Sequence, residues 1–139
     1  MQHTEHFFDT LVVGGGPAGL SAALALSRVC RTVAIFDSQE YRNEKASTMQ
    51  NALCHEGESP GHFRAEAMEK MTDKYNTITP INTEITGVKH VQEDGKHACF
   101  QVEDYKGRVW SGRKLILASG VKDILPDIEG YKELWGRGM

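Results

Sequence analysis

The stretch FFDTLVVGGGPAGLSAALALS, residues 7–27, decides the fold of this 139-residue chain. Its first seven residues are mostly apolar, which predicts a buried strand over 7–13. Gly14, Gly16 and Gly19 then follow with the spacing G-x-G-x-x-G. The first glycine permits a tight turn, the second lets the backbone approach a pyrophosphate, and the third lets helix and strand pack closely. The stretch therefore predicts a dinucleotide-binding turn between a strand and a helix.

The residues after the turn support this interpretation. A helix is predicted over 17–29, and Pro17 suits its first turn because the missing N–H is not needed there. Around Ala18 this helix would direct free N–H groups and its positive dipole end at phosphates. A second strand over 32–36 ends at Asp37, 18 residues after the last motif glycine, where a carboxylate can accept hydrogen bonds from ribose hydroxyls. This context favours the ADP half of a cofactor, although spacing alone leaves NAD and FAD open.

The remaining sequence predicts a loop, a second helix, several strands and a loop-like tail. Phe63, Ala67 and Met71 recur every four positions, which indicates one face of a helix. Short runs separated by Asp94-Gly95 and Lys106-Gly107 indicate a small antiparallel meander. The predicted elements are a loop over 38–58, a helix over 59–75, strands over 78–81, 84–91, 97–103, 108–110 and 114–118, and a tail over 121–139. The expected fold is α/β, a Rossmann-like FAD/NAD(P)-binding domain with a central parallel sheet and a small antiparallel β-meander, in a single domain over 1–139.

Composition limits the class of protein. Apolar residues make up 40% of the chain and charged residues 25%, as in ordinary soluble globular proteins. The net charge is −3 and no run of Lys or Arg forms a basic stripe, so nucleic acid is not an expected partner. The apolar stretch near the start is interrupted by the glycine turn and is too short to span a membrane. No basic segment precedes it as in a secretory signal, so a cytoplasmic protein is expected.

Cysteine and histidine spacing does not support a disulfide framework or a metal site. Cys30, Cys54 and Cys99 are odd in number and far apart, and they form no C-x-x-C. They are interpreted as small apolar side chains in a reducing compartment. The six histidines do not combine into two pairs with ligand spacing, so no metal ion is expected.

Two segments resemble flavin-dependent pyridine nucleotide-disulfide oxidoreductases. VVGGGPAGLSAA at 12–23 resembles their opening, and LILASG at 115–120 with LPDIEG at 125–130 resembles their second signature. Ser119 stands where threonine is usual in that family and retains the hydroxyl. Within the family, the chain is similar to a fungal thioredoxin-reductase-like group that includes gliotoxin-type dithiol oxidases of secondary metabolism. The segments that carry this second resemblance are FDS at 36–38, YRN at 41–43, MQN at 49–51, HEG at 55–57 and GYKELWG at 130–136.

The resemblance implies FAD bound in an extended pose. The glycine turn would meet the pyrophosphate, Asp37 the adenosine ribose, and Ile85 the adenine through its backbone. Arg42 and Asn51 would approach the ribityl chain or the isoalloxazine ring. The implied cofactor-binding residues are Gly14, Gly16, Pro17, Ala18, Gly19, Asp37, Arg42, Asn51, Ile85, Ser119 and Gly120.

The resemblance also implies parts that these 139 residues lack. In the family a redox-active C-x-x-C follows a segment like 130–136, and an NADPH-binding domain lies beyond it. Both are absent from the sequence, so a C-terminally incomplete FAD domain is expected. FAD would be held weakly because part of its cradle is missing, and NADPH would be a cofactor of longer relatives only.

Two classes of function remain open at this stage, and no catalytic residue is assigned. The first is the FAD-binding part of an oxidoreductase that acts on dithiols, disulfides or related small molecules of secondary metabolism. The second is a truncated, non-redox homologue that binds a metabolite or a partner chain, or catalyses a non-redox biosynthetic step. In the second class a partner chain would supply the missing half, and the expected partners are a small-molecule substrate and a second copy of the chain or a complementing chain.

Overall fold

A single six-stranded sheet organises the protein. The structure is a computed structural model that describes residues 7–92 and 98–135. The strands stand in the order β3-β2-β1-β6-β5-β4. The elements are β1 Phe7–Val13, α1 Pro17–Ser27, β2 Val33–Asp37, α2 Pro60–Lys74, β3 Ile78–Asn82, β4 Ile85–Val91, β5 Cys99–Asp104, β6 Val109–Leu117 and α3 Tyr131–Leu134.

The sheet is mixed, with three parallel and two antiparallel strand pairings. β1 pairs in parallel with β2 on one side and with β6 on the other, and β2 pairs in parallel with β3. β5 pairs antiparallel with both β4 and β6. Because α1 connects β1 to β2 and α2 connects β2 to β3, these two parallel crossovers are helical, as in Rossmann-like βαβ units, whereas β6 follows the strands β4 and β5. The predicted α/β, Rossmann-like class is therefore confirmed.

The two faces of the parallel strands are buried in two separate hydrophobic cores. On one face α1 and α2 contribute Leu20 and Met71, which pack against Val12 and Ile35 of the strands. On the other face Leu11 and its neighbours pack against the antiparallel strands. The members of this second core are Phe8, Leu11, Ala34, Phe36 and Val102, with Trp110 against them. Since β1 and β2 are covered on both faces, their nearly continuous apolar sequences are explained.

Most predicted elements are confirmed, with small changes at their ends. The strand over 7–13 is β1 itself, and α1 ends at Ser27, two residues before the predicted end. The strand predicted over 78–81 is β3, which pairs in parallel with β2 at the far edge of the sheet. The predicted loop-like tail contains the short helix α3. The predicted turn at 94–95 and the start of the predicted strand over 97–103 lie outside the described residues.

The two strands predicted over 108–110 and 114–118 are one continuous strand, β6, so this prediction was wrong. Gly112 lies between the two predicted strands and is a packing residue. A Cβ atom on Gly112 would lie 2.7 Å from Cγ of the fully buried Leu11. Only a glycine lets β6 pass this close to β1, and β6 then extends from β5 to the glycine turn.

No helix within residues 7–92 and 98–135 is long and apolar enough to cross a bilayer.

Candidate functional site

A large cavity opens at the carboxyl ends of the parallel strands. It has a volume of about 990 Å³, at the upper end of the size range of ligand pockets. Its walls come from the glycine turn after β1, the loop after β2, the β3–β4 connection and the segment after β6. The carboxyl edge of an open parallel sheet is where such folds bind ligands. The topology therefore places the predicted motif at the position expected for a binding site.

Two of the three motif glycines are required by contacts within the chain. Gly14 has a φ of +119°, and a Cβ atom there would lie 2.1 Å from the carbonyl oxygen of Ala118. A Cβ atom on Gly19 would lie 1.8 Å from the carbonyl oxygen of Gly14. The intervening Gly15 is constrained as well, since its Cβ would lie 2.3 Å from Cγ of Asp37. Gly19 is buried behind the turn, so it shapes the site without lining the cavity.

Gly16 differs from these glycines because no contact within the described chain requires it. Its φ of −76° and ψ of −178° are open to any L-residue. A Cβ atom there would meet no heavy atom of the described residues within 4 Å. Gly16 lines the cavity, so the space beside it is cavity space. The missing side chain leaves room for a group that is not part of the described chain.

The start of α1 is suited to an anion. Gly16 caps the helix without a side-chain hydrogen bond, and the first turn contains no acidic residue within the described chain. The first N–H groups of a helix lack intrahelical acceptors, and the helix dipole makes this end positive. Pro17 and Ala18 line the cavity at this point. A phosphate group would satisfy both the free donors and the dipole.

Asp37 lies where the motif predicts, at the end of β2 and on the cavity wall. Its Oδ1 accepts a hydrogen bond of 2.8 Å from the backbone N–H of Gln39. Its Oδ2 accepts a hydrogen bond from the hydroxyl of Tyr41. A carboxylate oxygen can accept two hydrogen bonds, so each oxygen retains capacity for a ligand hydroxyl.

Tyr41 lines the cavity and was not among the predicted site residues. Burial, followed by the hydrogen bond and the charge of Asp37, raises the pKa of Tyr41 to about 12. The guanidinium of Arg64 lies 3.5 Å from the centre of its ring. In the sequence, only the spacing of four positions between Asp37 and Tyr41 could have indicated their hydrogen bond. That spacing does not predict the contact with Arg64 of α2.

Arg42 lines the cavity but uses its guanidinium within the chain. Nε and Nη2 donate to the two carboxylate oxygens of Asp123 over 3.0 and 3.1 Å. This pair and the longer contact of 3.9 Å between Lys122 and Glu40 join the loop after β2 to the segment after β6. The Asp123 hydrogen bond and charge raise the pKa of Arg42. The predicted contact of Arg42 with a flavin would require the guanidinium to bridge Asp123 and the ligand.

The wall containing Ile85 is supported by a buried carboxylate behind it. Oδ2 of Asp104 accepts hydrogen bonds from the Thr83 hydroxyl over 2.9 Å and from Nε of Arg108 over 2.8 Å. Oδ1 accepts from the backbone N–H groups of Lys106 and Arg108. Since Thr83 and Ile85 line the cavity, this network fixes the wall assigned to the adenine.

The other predicted residues divide between the cavity and the surface. Ser119 and Gly120 line the cavity, and Gly120 has a φ of +69°. Asn51 has a positive φ of 58° and is exposed, outside the residues that line the cavity. The site therefore collects ten of the eleven predicted residues at its wall or in its turn, and leaves Asn51 on the surface.

The three cysteines, and a cluster of one histidine and two glutamates, lie outside this cavity. Cys30 and Cys54 are exposed and Cys99 is half-buried, all three as free thiols. The side chains of His55, Glu58 and Glu66 bring ligand atoms within 4.8 Å of one another. The ammonium of Lys70 lies 2.5 Å from Glu66 and already supplies a positive charge there. The prediction that the chain holds no metal ion stays a prediction.

The sequence comparisons agree with this geometry. Thioredoxin reductase sirT from Leptosphaeria maculans is 47% identical over 131 residues, which are 94% of this chain and 39% of that protein. Thioredoxin reductase tcpT from Claviceps purpurea is 42% identical over 137 residues, which are 98% of this chain and 41% of that protein. The chain thus spans about two fifths of the length of these relatives.

Solved structures share the fold. An oxidoreductase from Agrobacterium tumefaciens superposes with a TM-score of 0.84 at 39% identity, covering 94% of this chain and 42% of that one. The structure of HlmI gives a TM-score of 0.86 at 31% identity, covering 99% of this chain and 42% of that one. The family profile itself matches residues 8–139. A glycine turn at the cavity, an acid at the end of β2 and this match together show that the chain belongs to the pyridine nucleotide-disulphide oxidoreductase family.

Proposed function

We propose that the cavity binds FAD, with the ADP half at the glycine turn. The observation that carries this proposal is Gly16, a glycine that neither backbone conformation nor packing within the described chain requires. A pyrophosphate at the start of α1 would fill the space beside it and accept hydrogen bonds from the helix. The ribose would lie at Asp37 and the adenine against the wall at Ile85. The ribityl end would run toward Ser119 and Arg42.

The proposed activity of the whole protein is that of a thioredoxin-reductase-like oxidoreductase acting on small dithiols or disulfides. The flavin, when bound, would accept an electron pair from a dithiol. The chain described here would bind the cofactor and hold its adenosine end. A redox cysteine pair and an NADPH-binding part, as expected from the resemblance, would come from polypeptide beyond these 139 residues. The free thiols of Cys30, Cys54 and Cys99 support a reducing, cytoplasmic setting.

The segment after β6 has exposed apolar side chains that another chain would cover. After β6, Val121, Ile124 and Ile128 are exposed by 62%, 97% and 59%. A second copy or a complementing chain that covered them would remove this apolar surface from water. The flavin half of the cavity would then be completed, which is why we expect weak FAD binding by the 139 residues alone.

The proposal is tested by titrating the 139-residue chain with FAD and following quenching of flavin fluorescence. Gly16→Val should weaken binding about 10- to 100-fold, because two methyl groups would occupy the space for the pyrophosphate. The matched control is Gly87→Val in β4, where a Cβ would make an ordinary contact of 3.7 Å with Glu103. We expect the control to bind as the unmodified chain does. Equal binding by the Gly16 variant, with its fold intact by circular dichroism, would refute the proposal.

A further inference from the structure

The carboxylate of Asp37 is fixed in orientation before any ligand arrives. One oxygen is held by the N–H of Gln39 and the other by the hydroxyl of Tyr41. Both donors belong to the loop that follows β2, so the loop and the carboxylate are set together. Rotation of the carboxylate would break at least one of these bonds. The two lone pairs that remain, one on each oxygen, therefore have fixed directions.

Tyr41 is itself held from the far side by helix α2. The guanidinium of Arg64 stacks on its ring at 3.5 Å, and Nη1 of Arg64 donates to Oδ1 of Asn43 over 2.9 Å. The arginine thus binds two residues of the same loop. Its charge over the ring contributes a cation–π attraction that holds the ring in place. Tyr41 and Asn43 both line the cavity.

The phenol remains a hydrogen-bond donor throughout the physiological range of pH. Burial, with the neighbouring Asp37, raises the pKa of Tyr41 to about 12, so the hydroxyl stays protonated. A donor that stays protonated holds the carboxylate of Asp37 in one orientation. Each element of the arrangement, from Arg64 to Tyr41 to Asp37, has its position fixed by the one before it.

We propose, on the basis of the FAD assignment above, that Tyr41 is a positioning residue that orients Asp37 toward the hydroxyls of the adenosine ribose. Arg64 is the residue that holds Tyr41. Tyr41 and Arg64 together make the site selective for nucleotides with an intact ribose diol, because only the two hydroxyls of a diol can donate to both fixed lone pairs of Asp37. Preorganisation of this kind strengthens binding by lowering the ordering cost on ligand entry.

Tyr41→Phe removes the hydroxyl and keeps the ring that stacks on Arg64. The ligands are ADP and 2′,3′-dideoxy-ADP, titrated by calorimetry into the 139-residue chain. We expect the variant to bind ADP about 10-fold more weakly, in the range of one hydrogen bond to a charged group, and to bind the dideoxy nucleotide as the unmodified chain does. Tyr105→Phe is the control, since Tyr105 is 60% exposed and lies outside the cavity walls. It should change neither affinity.

The outcomes separate the positioning role from a structural one. Equal loss for both nucleotides, or ADP binding by Tyr41→Phe that is unchanged or tighter, would overturn the positioning role alone. If the unmodified chain bound neither nucleotide, or bound both equally, this inference would fail because the ribose would not be held at Asp37, whereas the FAD proposal is decided separately by the FAD titration with Gly16→Val. Arg64→Gln is the second variant, which keeps the hydroxyl and removes the cation above the ring. It should also lose affinity for ADP selectively, by a smaller factor, and unchanged ADP affinity would refute its role.

Discussion

Replacing Gly112 by alanine should destabilise the protein, although alanine is the better residue in an ordinary strand. The added Cβ would lie 2.7 Å from Cγ of Leu11, 3.1 Å from its Cδ2 and 3.2 Å from the carbonyl oxygen of Phe8. Favourable carbon–carbon contacts lie at about 3.5–4.0 Å, so the overlap with Cγ is close to 1 Å. Leu11 is fully buried between β2 and β6, and its Cγ cannot move aside without leaving its rotamer.

The expected magnitude is the difference between two opposing effects. Overpacking of a well-packed core costs about 1–3 kcal/mol. Removing a glycine from the strand interior returns about 0.5–1 kcal/mol, since the unfolded chain loses freedom. The net loss in the free energy of unfolding is therefore between about 0 and 2.5 kcal/mol, with a central value of about 1 kcal/mol. Urea unfolding followed by circular dichroism would measure it as a lower midpoint with an unchanged slope.

The control and a second variant identify the cause. Gly87→Ala, in the edge strand β4 with a contact of 3.7 Å to Glu103, should be neutral or slightly stabilising. In a Leu11→Ala background the colliding Cγ is absent, so Gly112→Ala should no longer destabilise. A stabilising effect of Gly112→Ala in the unmodified chain would show that Gly112 is an ordinary strand glycine. The close approach of β6 to β1 would then be wrong.

Two further perturbations test the turn and the wall of the site. Gly19→Ala should lower the unfolding midpoint more than Gly112→Ala does, because the new Cβ would lie 1.8 Å from the backbone oxygen of Gly14. A backbone oxygen has no rotamer to change. A Gly19→Ala variant as stable as the unmodified chain would contradict the close contact between Gly19 and Gly14. Burial alone would raise the pKa of Asp104, but hydrogen bonds from the backbone and guanidinium of Arg108, from Thr83 and from Lys106 outweigh it and lower the pKa to about 2. The unfolded chain then binds more protons than the folded one between about pH 4 and pH 2. The free energy of unfolding should therefore decrease as the pH is lowered from about 4 to about 2. Asp104→Asn should show a smaller fall between pH 5 and pH 2.5 in urea unfolding; an equal fall would assign the acid sensitivity to other carboxylates.

The sequence predicts the parallel half of the fold well, because its signals are local. A continuous apolar run, three spaced glycines and a proline at the start of a helix each report on neighbouring residues. β1 therefore has the predicted bounds, and α1 begins where it was expected to begin. The cavity wall from Gly14 to Ala18 follows from the same local signals.

The features that the sequence did not predict are contacts between distant residues. Whether β3 joins the meander or the parallel sheet depends on its pairing with β2, which no local pattern encodes. Gly112 can mark a turn or a close approach, and only the position of Leu11 decides between them. Arg42 and Asp123 are 81 positions apart, so their ion pair has no local signature either. Side-chain partners across the cavity are thus the part of the site that needs three-dimensional structure.

The structure identifies which glycine of the motif indicates a bound ligand. The motif predicts a different role for each of its three glycines, but from the sequence alone a nucleotide-free protein could contain all of them for packing. The structure separates them, because Gly14 and Gly19 are each needed by a contact with the backbone. Gly16 alone has ordinary dihedral angles, an open Cβ direction and a place on the cavity wall. A turn needed only for folding would tolerate a side chain there, so substitution of Gly16 decides whether the turn binds a ligand.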